Sequence, residues 1–107
     1  MDNSMFEKVE QIEKKYSELG EILSKPEIIQ DYEKFRDLSK QRKTMEETVN
    51  IYYQYKDAIS AINDAKEMLH HEKDTSMREF LNNEIDTNEK KIEEFEHRLK
   101  VLLLPRD

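Results

Sequence analysis

The residues in this sequence whose types and spacing resemble chemistry are two Glu-x-x-His pairs, Glu67 with His70 and Glu94 with His97. Such pairs, placed on facing helices, build di-iron sites in helical bundles. Geometry argues against that use here. If the turn lies near residues 72 to 73, His70 falls beside residue 75 and His97 beside residue 48, ~33 Å apart along a helix axis, so the two pairs cannot share one metal. With 25 carboxylates in 107 residues, solvated surface is the expected fate of both pairs. No metal ligand, catalytic residue or cofactor-binding residue is assigned. There is no glycine-rich phosphate loop, no histidine beside a plausible nucleophile and no zinc-hydrolase spacing.

Two further groups invite a binding role. Tyr52, Tyr53 and Tyr55 could stack bases, but Tyr52 and Tyr55 lie on or beside an apolar stripe, where packing with the hydroxyls at the rim is the expected use. Lys40, Arg42 and Lys43, with Lys34 and Arg36 upstream, form the one basic concentration on a chain of net charge -7. That acidity argues against the chain gripping a phosphate backbone by itself, because such binding draws on clustered Lys and Arg. The basic run is read as a solvated helix face or, as the alternative, a local contact with RNA.

The elements that would carry these residues are helices. One glycine and two prolines are too few for many short strands, and a charged fraction of 40% suits long solvated helices. Met5, Val9, Ile12, Tyr16, Leu19 and Leu23 recur at steps of four and three, predicting a first helix from about residue 4 to 23, with Gly20 as an alternative end. Ile28, Tyr32, Phe35, Leu38, Met45, Val49, Tyr52, Ile59, Ile62 and Leu69 make a second stripe. The polar stretch 39–44 allows a joint there, but the heptad spacing of Leu38, Met45, Tyr52 and Ile59 favours one helix from about residue 26 to 70. Met77, Leu81, Ile85, Ile92, Phe95, Leu99 and Leu102 make a third stripe to about residue 103. Asn88 interrupts it, as a register-fixing buried Asn or as a polar residue at a frayed seam. Ser4 to Glu7, Ser24 to Glu27, Thr44 to Glu47 and Ser76 to Glu79 each have the pattern of a capping box. The predicted fold class is all-α: an elongated antiparallel helical hairpin or bundle of three long helices, or four with a joint near 39–44.

Cysteine is absent, so neither disulfides nor thiolate chemistry arise. The longest apolar run is Val101 to Leu104, which spans no membrane, and Met-Asp-Asn-Ser opens no secretory signal. A soluble cytoplasmic protein without cofactor or enzymatic activity is the expectation. The tail Val101-Leu102-Leu103-Leu104-Pro105 presents more consecutive apolar residues than one helix face buries. It reads as the edge of a larger protein whose next part covers it, and predicts weak self-association where that cover is missing.

Leu102-Leu103-Leu104-Pro105-Arg106-Asp107 resembles the Leu-Leu-Leu-Pro-Lys-Asp that closes the N-terminal helical domain of the bacterial peptide chain release factor 1 family, with Arg in the place of Lys. Phe35-Arg36 with Leu38-Ser39, Glu46-Glu47-Thr48-Val49, Tyr55-Lys56 and Ala65-Lys66 with Met68-Leu69 resemble the same domain in order. The resemblance covers all 107 residues and implies a single N-terminal docking domain. Its parent reads UAA and UAG and triggers peptidyl-tRNA hydrolysis on the ribosome. It further implies that the domain meets the ribosomal stalk base, with Lys40, Arg42 and Lys43 as candidate contacts, and that the following domains pack on Leu102, Leu103 and Leu104. The family's Gly-Gly-Gln hydrolysis motif is missing, since the single glycine, Gly20, precedes Glu21. The Pro-x-Thr codon-reading motif is missing too, since Pro26 leads to Ile28 and Pro105 to Asp107. A free-standing structural coiled coil and a helical metal-binding protein are the other classes these stripes and histidines allow.

Overall fold

The computed structural model describes residues 1–105, and among them every regular element is a helix: α1 Asn3–Leu23, α2 Pro26–Ile29, α3 Tyr32–Leu69 and α4 Thr75–Leu102. The chain forms two compact units. The first is Met1–Asn50 and the second begins at Ile51.

In the first unit the α1 stripe behaves as its spacing requires, with Val9 and Leu19 buried and Met5, Ile12, Tyr16 and Leu23 half-buried. Asp2, not Ser4, caps α1, its carboxylate accepting the Met5 N–H at 2.9 Å. A carboxylate two residues upstream is an equally good cap and adds negative charge at the helix N-terminus, so it takes the place of the serine. Ser24 is likewise not an N-cap: it closes α1, its hydroxyl donating to the Glu21 carbonyl at 2.7 Å, and α2 starts without a side-chain cap. Gly20 lies inside α1 with ordinary helical φ and does not terminate it.

The long second helix begins six residues later than its stripe predicts. Pro26 opens only the short α2, and the joint falls at Gln30 and Asp31 rather than at 39–44. Asp31 is the cause: its carboxylate accepts the Lys34 N–H at 3.2 Å while its carbonyl accepts the Phe35 N–H at 2.9 Å. An Asp that can satisfy the first free N–H groups of a following helix gains more at that cap than within a continuous helix. Across 39–44 α3 runs unbroken. Thr44 there bonds back to the Gln41 carbonyl at 2.7 Å, the local bond a helical threonine can make without ending the helix. Tyr32, 74% exposed, and Phe35, 38% exposed, drop out of the predicted core stripe.

In the second unit the distal part of α3 and α4 form an antiparallel hairpin, with Leu69 against Arg78 near the turn and Tyr55 against Glu96 far from it. Ile51, Tyr52, Tyr55, Ala58, Ile62 and Ala65 of α3 are buried, as are Leu81, Asn88, Phe95 and Leu99 of α4. Ile51 lies outside the predicted stripe. The turn is held by Arg78, whose Nη1 donates to the carbonyls of Leu69 and Glu72 at 2.8 Å each. Asp74 rather than Ser76 caps α4, accepting from the Met77 N–H at 2.9 Å. Asn88 is buried in the seam, and its amide donates to the Glu84 carbonyl one turn back at 2.8 Å, so its polar group is satisfied within its own helix.

Candidate functional site

The basic run does not form one surface. Successive residues on a helix are turned by about 100°, so Arg42 points away from Lys40 and Lys43 and towards α1. There its Nε donates to the Tyr16 carbonyl at 3.0 Å and its guanidinium lies 3.8 Å from the centre of the Tyr16 ring. The approach depends on Gly20. A Cβ at that position would sit 2.9 Å from Arg42 Nη2 and 3.2 Å from its Cζ and Nε. The Tyr16 carbonyl already has an intrahelical partner in the N–H four residues on, and the missing side chain there opens it to a second donor. Arg42 therefore links α1 to α3.

Lys43 pairs with Glu46 at 3.0 Å on an exposed face, Lys34 with Asp31 at 4.0 Å, and Arg36 lies 5.9 Å from the Tyr32 ring centre. Lys40 is exposed. A small cavity of about 180 Å³ beside the Arg42 link is lined by Tyr16, Leu23, Ser39, Arg42, Lys43 and Glu46. Of the predicted contact residues, Lys40 and Lys43 thus present their charge outward, while Arg42 is engaged within the unit. Sequence reasoning missed that engagement, because it read Gly20 only as an alternative end of the first helix.

The tyrosines also separate. Tyr52 and Tyr55 are buried and stack on each other with ring centres 6.2 Å apart and planes 18° apart, while Tyr53 is 41% exposed. The Lys56 ammonium lies 4.6 Å from the Tyr52 ring centre and 5.2 Å from that of Tyr53. Burial, then the Glu96 carboxylate and the hydrogen bond the Tyr55 hydroxyl donates to it, raise the Tyr55 pKa above its usual value. Packing, with one hydroxyl satisfied at the rim, accounts for these rings.

His70, His71 and His97 are all exposed, and Glu67 pairs with His71 at 3.9 Å rather than with His70. Among the described residues no group of three or more His, Asp or Glu side chains is placed to hold a metal ion. No helix among them is long and apolar enough to cross a membrane. At the end of α4, Val101 and Leu104 are 51% and 57% exposed, and Leu102 and Leu103 are half-buried. Arg106 and Asp107, the last two residues of the family-like hexapeptide, lie outside the described residues.

A link between helices, a stapled hairpin and an apolar helix end make a scaffold, and comparison with known proteins places it. Residues 12–107 match the PCRF domain. The chain is 44% identical over 103 residues to peptide chain release factor 1 of Geobacillus sp. (strain WCH70) and 42% identical over 103 residues to that of Bacillus subtilis (strain 168). Each alignment covers 96% of this chain and 29% of the relative, so the chain spans less than a third of the length of the proteins it matches. Peptide chain release factor 1 of Streptococcus uberis (strain ATCC BAA-854 / 0140J) is 39% identical over 105 residues, 97% of this chain and 29% of that protein. No solved structure matches the chain significantly. The family match, extending over most of both helical units, establishes that the chain belongs to the PCRF domain family.

Proposed function

We propose that this chain is the helical docking domain of a peptide chain release factor that acts at UAA and UAG codons on cytoplasmic ribosomes, and that it carries no chemistry of its own. The observation that carries the reading is the continuous likeness to peptide chain release factor 1 over 96% of the chain. The helical scaffold is consistent with it. Hydrolysis of an ester needs a group positioned at the reacting carbon, and the Gly-Gly-Gln motif that would supply it lies in the remaining domains of the parent. Stop-codon reading is assigned to those domains too.

Docking is the role left to rigid helices linked to a second site, because one tethered contact raises the local concentration of the other. Lys40 and Lys43 are the outward charges proposed to meet the ribosome near its stalk base, with Arg42 holding their helix against α1. Val101 and Leu104, with the half-buried Leu102 and Leu103, are proposed to be covered by the domains that follow. Added alone to ribosomes halted at UAA with peptidyl-tRNA in place, the chain releases no peptide. Deleting residues 1–107 from the parent weakens ribosome binding more than it slows hydrolysis once bound. Peptide release by the isolated chain would overturn the non-catalytic assignment, and unchanged ribosome affinity after the deletion would overturn the docking role.

A further inference from the structure

The first unit holds a positive charge that no carboxylate answers. Arg42 is half-buried, and of its guanidinium nitrogens Nε alone donates within the protein, to the Tyr16 carbonyl. Nη1 and Nη2 make neither a hydrogen bond nor an ion pair among the described residues, on a chain with 25 Asp and Glu. A charge withdrawn from water is ordinarily paired. The guanidinium borders the cavity of about 180 Å³ together with Tyr16, Leu23, Ser39, Lys43 and Glu46. The Ser39 hydroxyl has no hydrogen-bond partner among the described residues either. Because no fully buried side-chain nitrogen or oxygen among them lacks a partner, these Arg42 and Ser39 atoms are open to a ligand. Lys43 is matched by Glu46 at 3.0 Å, so the cavity keeps the one net positive charge of Arg42. The Tyr16 carbonyl and ring hold that charge in a fixed orientation.

We infer that this cavity binds one hydrogen phosphate ion. The unpaired Arg42 sets the sign of the ligand, since the fork of Nη1 and Nη2 donates to two phosphate oxygens in parallel. Arg42 and Lys43 diverge by about 100° on α3, and Ser39 and Glu46, three and four residues from each of them, lie between the two. Guanidinium, ammonium and hydroxyl thus donate from different directions, which a tetrahedral oxyanion uses more fully than a planar carboxylate. Glu46 then selects among oxyanions. An ionised carboxylate only accepts hydrogen bonds, so a ligand lying against it has to bring a proton. Inorganic phosphate carries one in both of its forms near neutral pH. Sulfate and a phosphodiester carry none, and a phosphomonoester loses its own above about pH 6. The site therefore suits the free ion rather than a nucleic-acid backbone, and the inference is independent of the release-factor reading.

The test is a nuclear magnetic resonance titration of the full 107-residue chain, isotope-labelled, at about pH 7.5 and at ionic strength held constant with chloride. Inorganic phosphate shifts the amides of Ser39, Arg42, Lys43 and Glu46 saturably with a Kd on the order of 1 mM, and sulfate, phenyl phosphate and dimethyl phosphate each bind at least about tenfold more weakly. Ser39→Ala, which leaves the Arg42 link to α1 untouched, weakens phosphate about threefold or more. Glu46→Gln, whose amide donates as well as accepts, brings sulfate to within about threefold of phosphate, whereas loss of a merely structural contact would weaken both ions alike. Circular dichroism confirms that each variant is folded, and Ser39→Ala carries the test if Glu46→Gln is not. No saturable shift with phosphate, a competitor binding as tightly as phosphate, or a phosphate preference that survives Glu46→Gln would each overturn the assignment. Tight binding of dimethyl phosphate would do so by making the cavity a contact for a nucleic-acid backbone.

Discussion

The link between Gly20 and Arg42 predicts that one substitution will change sign with its background. Alanine in place of a helical glycine is worth about 1 kcal/mol from propensity alone. At Gly20 the new Cβ would come within 2.9 Å of Arg42 Nη2, so the guanidinium must move. Two contacts then weaken. One is the charged hydrogen bond to the Tyr16 carbonyl, of a class worth about 1.5–3 kcal/mol, and the other is the stacking on the Tyr16 ring, worth about 0.5–2 kcal/mol. Losing roughly half of their sum offsets the propensity gain, and Gly20→Ala in the natural chain is then neutral or destabilising by up to about 1.5 kcal/mol. With Arg42→Ala already present there is nothing to displace, and Gly20→Ala stabilises by about 1 kcal/mol. Arg42→Ala alone costs about 2–5 kcal/mol. Urea unfolding followed by far-ultraviolet circular dichroism on the four members of this cycle measures a coupling of about 1–2.5 kcal/mol. An identical effect of Gly20→Ala in both backgrounds would refute the claim that the glycine exists to admit the arginine.

Three further outcomes are expected. Ile62→Asp, which buries an unpaired charge at a position only 8% exposed, costs about 3–5 kcal/mol, whereas Lys90→Ala on the exposed face of α4 changes stability by less than about 0.5 kcal/mol; equal effects in thermal melts would mean the seam is misplaced. Because the folded-state pKa of Tyr55 is raised above the usual 10.0, the unfolded chain ionises first, so this tyrosine's contribution is whole below that pH and is lost as pH climbs through the folded value. Tyr55→Phe therefore loses about 1 kcal/mol at neutral pH and melts with a flatter alkaline limb than the natural chain, and parallel limbs would deny the Glu96 hydrogen bond. Replacing both Val101 and Leu104, each more than half exposed, with Ser shifts sedimentation towards monomer, since roughly 25 cal/mol per Å² of apolar area favours any partner that covers them.

What the sequence alone determined is everything that depends on local periodicity and composition. The α1 stripe, the third stripe from Met77 to Leu102, of which Met77 alone proves exposed, the turn near residues 72–73 and the all-α class follow from apolar residues three and four apart in a chain poor in glycine and proline. The family was also legible, from the order of short matches ending in Leu102 to Asp107. Helix ends were less so. Of the four capping-box patterns, those at Ser4 and Ser76 yield to Asp2 and Asp74, nearby carboxylates that compete for the same free N–H groups, while Ser24 closes α1 and Thr44 lies inside α3.

Tertiary structure alone decided the rest, and in each case because the deciding partner is distant in sequence. Arg42 stood among three cations in the sequence, but a carbonyl and a ring 26 residues away claim it and leave Lys40 and Lys43 outward. Ile51 fits no single stripe; it is buried because α3 is enclosed over a wider arc from Thr48 to Tyr55 than one face provides. Asn88 was open between seam and fray, and its place in the seam is set by the packing of α4 on α3, with its amide satisfied by Glu84. Periodicity tells which side of a helix is apolar, but not what stands opposite it, and side chains such as Arg42 are assigned by their partners.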